Sequence, residues 1–213
     1  MNDEILRRNM VEKQLVERGI TDDRVLGAFR KIERHCFVPS VVAPGVYSDH
    51  PLPIGEGQTI SQPYMAALMT QSLELRGGEK VLEIGTGSGF QSAVLAELGS
   101  RVYSIERIYG LLERAKTLFA RLGYADIHLK AGDGSLGWPQ EAPFSRIIVT
   151  AAVEALPAAL TEQLAEGGIM VVPLGGNFSQ VLTLFRKKGS VLESEAICPC
   201  VFVPLISGTQ EAC

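Results

Sequence analysis

The chain has 213 residues, 46% apolar and 21% charged, with a formal net charge of −4 at pH 7 and an isoelectric point near 5.5. That length holds one α/β domain with a full core and is short for two, and the acidic balance argues against a nucleic-acid binder that works by neutralising phosphates. No apolar run approaches the roughly 20 residues of a membrane span, and Met1-Asn2-Asp3-Glu4 carries acids where a secretion signal carries basic charge, so a cytoplasmic location is expected.

The four cysteines, Cys36, Cys198, Cys200 and Cys213, include no C-x-x-C pair and read as reduced thiols. With only His35, His50 and His128 as imidazoles, no metal site is expected.

Leu6, Met10, Val11, Leu15 and Val16 recur at helical spacing, and Gly19 ends the pattern. Thr21-Asp22-Asp23 offers caps for a second helix that turns Val25, Leu26, Phe29 and Ile32 inward, before Phe37-Val38-Pro39 breaks it. Residues 39–57 are rich in Pro and Gly and read as a long loop of the binding or lid kind. It leads into Gly57-Gln58-Thr59-Ile60-Ser61-Gln62-Pro63, and Ser61 sits where the next helix (Met65, Leu68, Met69, Leu73) should begin, in N-cap position.

Lys80 to Ile84 has strand character and feeds Gly85-Thr86-Gly87-Ser88-Gly89, followed directly by an Ala-rich helical pattern. Glycines permit positive φ and close ligand approach, and a following helix N-terminus offers unpaired N–H groups. The spacing is G-x-G-x-G, not the G-x-G-x-x-G of dinucleotide sites, which favours S-adenosylmethionine over NAD. Taken alone, the same residues also fit a glycine-rich turn of any α/β fold.

Arg101 to Ile105 reads as the second strand and ends in Glu106, 21 residues after Gly85. A carboxylate at that strand tip can accept hydrogen bonds from both hydroxyls of a ribose. A helix over Leu111–Phe119, a strand over Ile127–Leu129 and the loop Gly132-Asp133-Gly134 follow, with Asp133 a second acid for the cofactor's adenine side. Ile147-Ile148-Val149 is a β-branched run of a strand buried on both faces. Leu156–Leu164 reads as a helix capped by Gly167-Gly168, with a fifth strand at Ile169–Val172. Val181–Phe185 and Val191 onward have no helix between them and should pair antiparallel at the sheet edge. The whole is expected to be a single α/β domain, 1–213. It divides into N-terminal helices and a loop (1–78), a Rossmann-like core with a mostly parallel seven-stranded sheet (79–175), and an antiparallel C-terminal hairpin (176–213).

That plan resembles the class I methyltransferases. Pro51-Leu52-Pro53-Ile54-Gly55, Gly57 to Pro63, Val81 to Gly89, Gly132-Asp133-Gly134, Gly137-Trp138, Ile147 to Ala152 and Phe202-Val203-Pro204-Leu205 are more narrowly similar to the protein-L-isoaspartate O-methyltransferases. The resemblance implies methyl transfer from S-adenosyl-L-methionine to the free carboxylate of L-isoaspartyl residues in damaged proteins and peptides, leaving S-adenosyl-L-homocysteine and an ester that collapses to a succinimide. It implies Ser61 as the catalytic position and Gln58, Thr59, Ser61, Gly85 and Gly87 beside the methionine part of the cofactor. Glu106 falls at the ribose, Asp133 and Gly134 at the adenine, and Val203, Pro204 and Leu205 with Ser61 in the substrate pocket. It departs in Phe90, where the family often has Tyr, and in Val153-Glu154-Ala155, where a Pro is common.

A carboxylate is already ionised at neutral pH, so no general base is needed. His50 beside Asp49 is therefore a loop pair, and Trp138 and Tyr64 read as packing or pocket walls. No metal, nucleic acid or membrane partner is expected, and the chain is expected to act as a monomer. Two other readings fit the residues: a methyltransferase of the same fold acting on a small molecule or RNA base, and a cofactor-binding module without activity. Thr150-Ala151-Ala152 stands where a base methyltransferase carries an Asn-Pro-Pro-Tyr-like motif.

Overall fold

A computed structural model describes residues 3–176 and 178–210, so Cys213 and the first two residues, on which two expectations rest in part, lie outside the described residues. The chain opens with α1 (Asp3–Asn9), which runs on through a π turn (Met10–Leu15) and a 3₁₀ turn (Val16–Arg18) to Gly19 in the left-handed region. α2 (Asp23–Lys31) starts where expected, with the Asp22 carboxylate accepting from the backbone N–H of Arg24 and Val25. It stops short of Phe37, and Arg34–Phe37 forms a separate 3₁₀ turn.

The loop expected at residues 39–57 contains regular structure: a 3₁₀ turn (Ser40–Gly45), then β1 (Leu52–Gly55) paired antiparallel with β2 (Gln58–Ile60). The two residues between them, Glu56 and Gly57, both have positive φ, 54° and 68°. That geometry matches the right-handed twist of a two-residue hairpin. Leu52, Ile54 and Ile60 point into the core. α3 (Pro63–Ser72) follows.

The large sheet has the order β5-β4-β3-β6-β7-β8-β9. Its members are β3 (Lys80–Ile84), β4 (Arg101–Glu106), β5 (His128–Ala131), β6 (Phe144–Val149), β7 (Leu164–Gly176), β8 (Ser179–Lys188) and β9 (Val191–Cys200). β3 to β7 run parallel, β8 runs against them, and β9 pairs antiparallel with β8 as the terminal hairpin. α4 (Phe90–Glu97), α5 (Tyr109–Leu122) and α6 (Ala158–Gln163) make the crossovers, and no helix among the described residues is long and apolar enough to cross a membrane. One correction concerns Gly167-Gly168: these residues lie inside β7 and do not cap α6. Phe144 pairs with Leu164 but Arg146 with Ile169, so β7 bulges there, and Gly167 at φ +69° absorbs the extra residues.

Alternation along the buried strands divides the core. Ile148, Ile169, Val171, Leu182 and Leu184 pack with α2 to α5 on one face. Ile147, Val149, Met170, Val172 and Phe185 pack with Leu160 and Leu164 on the other. After β3 the chain moves to β4 and β5 on one side, then returns to β6 on the other. Strand order therefore reverses at β3, where an open α/β sheet leaves a crevice at its carboxyl ends.

Candidate active site

That crevice is occupied by a cleft of about 850 Å³, counting its open mouth. The glycine loop enters it from β3. Gly85 has φ +95°, and a Cβ there would lie 2.5 Å from the Thr150 hydroxyl oxygen. Thr150 in turn donates to the carbonyls of Ile84 and Gly85, tying the loop to the end of β6. Any side chain at Gly85 would meet strain and a clash together. Gly89, also at positive φ, is the N-cap position of α4.

Three carboxylates were candidates or neighbours, and the structure separates them. Glu106 ends β4 in the cleft; its two oxygens accept from the backbone N–H of Gly87 and of Ile108, both at 2.9 Å. Each oxygen keeps a lone pair for a further donor. Asp133 is not among the lining residues, although Gly134 is. Its carboxylate accepts from the Ser135 hydroxyl and N–H and, at 2.7 Å, from the N–H of Gly208. Burial pushes the Asp133 carboxyl up, but these hydrogen bonds outweigh it and hold it below the usual carboxylate range.

Glu83, which sequence reasoning passes over as a strand residue, is fully buried beneath the loop. It accepts from Ser92 and Ser104, its Oε1 has no partner among the described residues, and burial raises its pKa to about 7 against Ser hydrogen bonds that lower it, with Glu106 adding repulsion. The folded protein thus holds this proton through a pH range in which the unfolded chain, titrating near 4.5, has lost it. Stability contributed by Glu83 is therefore lost as pH rises from 4.5 to 7, by about 3 kcal/mol in all. We expect Glu83→Gln to flatten this part of the dependence, measured by thermal melts at pH 5 and pH 8. A wild-type melting temperature that changes no more steeply than the variant's would contradict the assignment.

On the opposite wall lie Gln58, Thr59, Ile60 and Ser61 from β2 and its exit. Ser61 is not the helix N-cap: α3 begins at Pro63, which fills the first helical position, and Gln62 takes the cap position without a side-chain cap bond. Among the described residues none hydrogen-bonds the Ser61 hydroxyl, while the Ser61 carbonyl accepts from Arg34 Nη2 at 2.7 Å. Asp49 braces the next residues, accepting from Gln62 Nε2 at 2.7 Å and Tyr64 N–H at 3.0 Å and pairing with Arg18. Asp49 thus works with these groups and not with His50. Arg18 also lies over the Tyr64 ring, and Trp138 packs edge-on to Tyr103, so both aromatics serve packing and neither lines the cleft.

The third wall is the C-terminal segment. Ala152 donates to the Val203 carbonyl and accepts from Leu205, at 2.8 and 2.7 Å, so residues 203–205 are strapped across the end of β6. The Gly208–Asp133 bond and the Gln210–Arg107 bond continue this strap over β5 and β4. Val203, Pro204 and Leu205 line the cleft. Ten of the eleven expected site residues therefore converge on one cavity; Asp133, the eleventh, fastens the strap. Sequence reasoning misses Arg34, Asp49 and Thr150, whose roles depend on backbone carbonyls and amides brought close by folding.

The cluster of candidate metal ligands found among the described residues, Glu33, His35 and Cys36, lies on the 3₁₀ turn at Arg34–Phe37 and its approach, outside the cleft lining. Cys36, Cys198 and Cys200 are free thiols.

The chain that builds this cleft is similar to known proteins. A family profile described as protein-L-isoaspartate(D-aspartate) O-methyltransferase matches residues 6–210. The protein-L-isoaspartate O-methyltransferase of Geobacter metallireducens is 51% identical over 217 residues, covering 99% of this chain and all of that protein. Protein-L-isoaspartate O-methyltransferase 1 of Syntrophobacter fumaroxidans is 58% identical over 200 residues, 94% of each chain. A solved protein-L-isoaspartate O-methyltransferase superposes with a TM-score of 0.83 at 31% identity, over 93% of this chain and 65% of that one. A Plasmodium falciparum structure described as a candidate protein of the same kind, in complex with S-adenosyl-L-homocysteine, gives 0.81 at 25% identity over 97% and 99%.

Proposed function

The chain belongs to the protein-L-isoaspartate(D-aspartate) O-methyltransferase family, and on that premise we propose how its cleft transfers a methyl group from S-adenosylmethionine to the free carboxylate of L-isoaspartyl residues. The observation that carries the assignment of roles is the convergence of Thr59–Ser61, the glycine loop, Glu106 and Val203–Leu205 on one cavity.

When bound, S-adenosylmethionine supplies a methyl carbon on a positively charged sulfur, open to in-line displacement by a carboxylate oxygen. The residues present fit such a cofactor. Glu106 has acceptor capacity left for ribose hydroxyls, Gly85 and Gly87 let the backbone come close, and Gly134 lines the same cavity with Ile84 and Leu205, where a flat base would lie. Asp133 Oδ2 keeps a lone pair for an amino group beside the strap. Gln58 and Thr59 flank the methionine end.

The free Ser61 hydroxyl donates to the substrate carboxylate and points one oxygen at the reacting carbon. The strap and Ile60, Ile84 and Phe90 give the cleft apolar walls that keep water from the reacting pair. Water stabilises separated charges more than it stabilises the transition state that joins them, so orientation and excluded hydration supply the rate. No residue need act as a base. The following backbone amide nitrogen then attacks the ester carbonyl, the methoxide leaves with the amide proton as methanol, and a succinimide closes. Incubating an isoaspartyl peptide with the protein and S-adenosylmethionine should convert part of it to the aspartyl form over repeated cycles, read by reversed-phase chromatography. Unchanged peptide, with the cofactor bound, would overturn the reading.

A further inference from the structure

Arg34 is the largest fully buried side chain among the described residues, with none of its surface exposed. It sits in the 3₁₀ turn between α2 and the β1–β2 hairpin. Its Nε donates to the Val46 carbonyl at 2.8 Å and its Nη2 to the Ser61 carbonyl at 2.7 Å, while Nη1 is buried without a partner among the described residues. The guanidinium carbon lies 4.9 Å over the Phe90 ring, and Phe90 lines the cleft. No carboxylate pairs with Arg34 among the described residues. Of the groups whose negative charge acts on it, Tyr47 and Asp49, the one carboxylate, Asp49, spends its oxygens on Arg18, Gln62 and Tyr64.

A buried cation is ordinarily retained with its counter-ion beside it. Here the charge stands directly behind Ser61 in a wall of low polarity, and the anion it lacks is the group that the cleft receives. We propose that Arg34 is a positioning residue for the transfer reaction: its fork fixes the backbone of Ser61, and its charge draws the substrate carboxylate to that side of the cleft. This rests on the methyl-transfer reading above. The fork and the charge are separable, because Lys keeps the charge but lacks the planar two-point grip.

The test compares wild type, Arg34→Gln and Arg34→Lys in steady-state transfer to an isoaspartyl peptide, with S-adenosylhomocysteine binding measured on each. Arg34→Gln should raise the peptide KM at least tenfold, the change expected for a unit charge within about 12 Å at an effective dielectric of about 20. It should also lower kcat severalfold, with S-adenosylhomocysteine Kd within about twofold of wild type. Arg34→Lys should restore KM but not kcat. If Arg34→Gln loses activity only in proportion to its loss of cofactor-binding sites, or keeps both constants, the proposal fails. If Arg34→Gln does not fold, a kcat for Arg34→Lys equal to wild type overturns the fork's role, and a peptide KM raised as far as a neutral residue would raise it overturns the charge's role. A wild-type protein that leaves the isoaspartyl peptide unmethylated would instead overturn the reading on which the proposal rests.

Discussion

Ser61→Ala should lower kcat for an isoaspartyl peptide by about 10²–10³, the range for loss of one preorganised donor at a reacting oxygen. The affinity for S-adenosylhomocysteine should stay within about twofold. The expectation rests on three features together. The Ser61 hydroxyl has no hydrogen-bond partner among the described residues, so its capacity is open to a substrate. Its backbone is held by the buried Arg34 and by the β2 strand, so the hydroxyl keeps its place without reorganising. Removal of one oxygen from a half-buried position leaves no buried group orphaned, so the fold and the cofactor contacts should survive. Rapid-quench turnover and calorimetric titration on the same preparation separate the two effects. A turnover within threefold of wild type would remove Ser61 from the transfer step.

Glu106→Ala should weaken cofactor binding by about 1.5–3 kcal/mol, roughly 10- to 150-fold in Kd. The carboxylate does two things in the folded protein. It would accept the ribose hydroxyls, and it already holds the N–H groups of Gly87 and Ile108, which set the glycine loop against the start of α5. Alanine removes both, whereas Glu106→Gln keeps the shape and one acceptor and should fall between. Equal Kd values for wild type and Glu106→Ala, by isothermal titration calorimetry, would contradict the ribose assignment.

The Rossmann-like half of the molecule is legible in the sequence because its signals are local. The run from Lys80 to Ile84, the glycines after it and Glu106 at the end of the next strand each announce themselves within a few residues. The other half is legible only in part. The β1–β2 hairpin lies in a stretch dense with Pro and Gly, and its turn uses Glu56 at positive φ, where Asn or Asp would have marked it. Ser61 has the chemistry of an N-cap, yet Pro63 at the first helical position moves the cap to Gln62. Gly167 and Gly168 suit a helix end equally well as the bulge that they form. The Gly132-Asp133-Gly134 motif announces Asp133, but not its bond to Gly208, which joins residues 75 apart in the chain. Arg34 gives no signal at all: a lone arginine near a helix end is ordinary until folding buries it behind Ser61.

The most direct test uses paired peptides, identical except that one carries aspartate and the other isoaspartate at a single position, with methyl-labelled S-adenosylmethionine. The cleft described here should place base-labile label on the isoaspartyl peptide and leave its aspartyl twin unlabelled. Label on neither peptide, or on both equally, would contradict it.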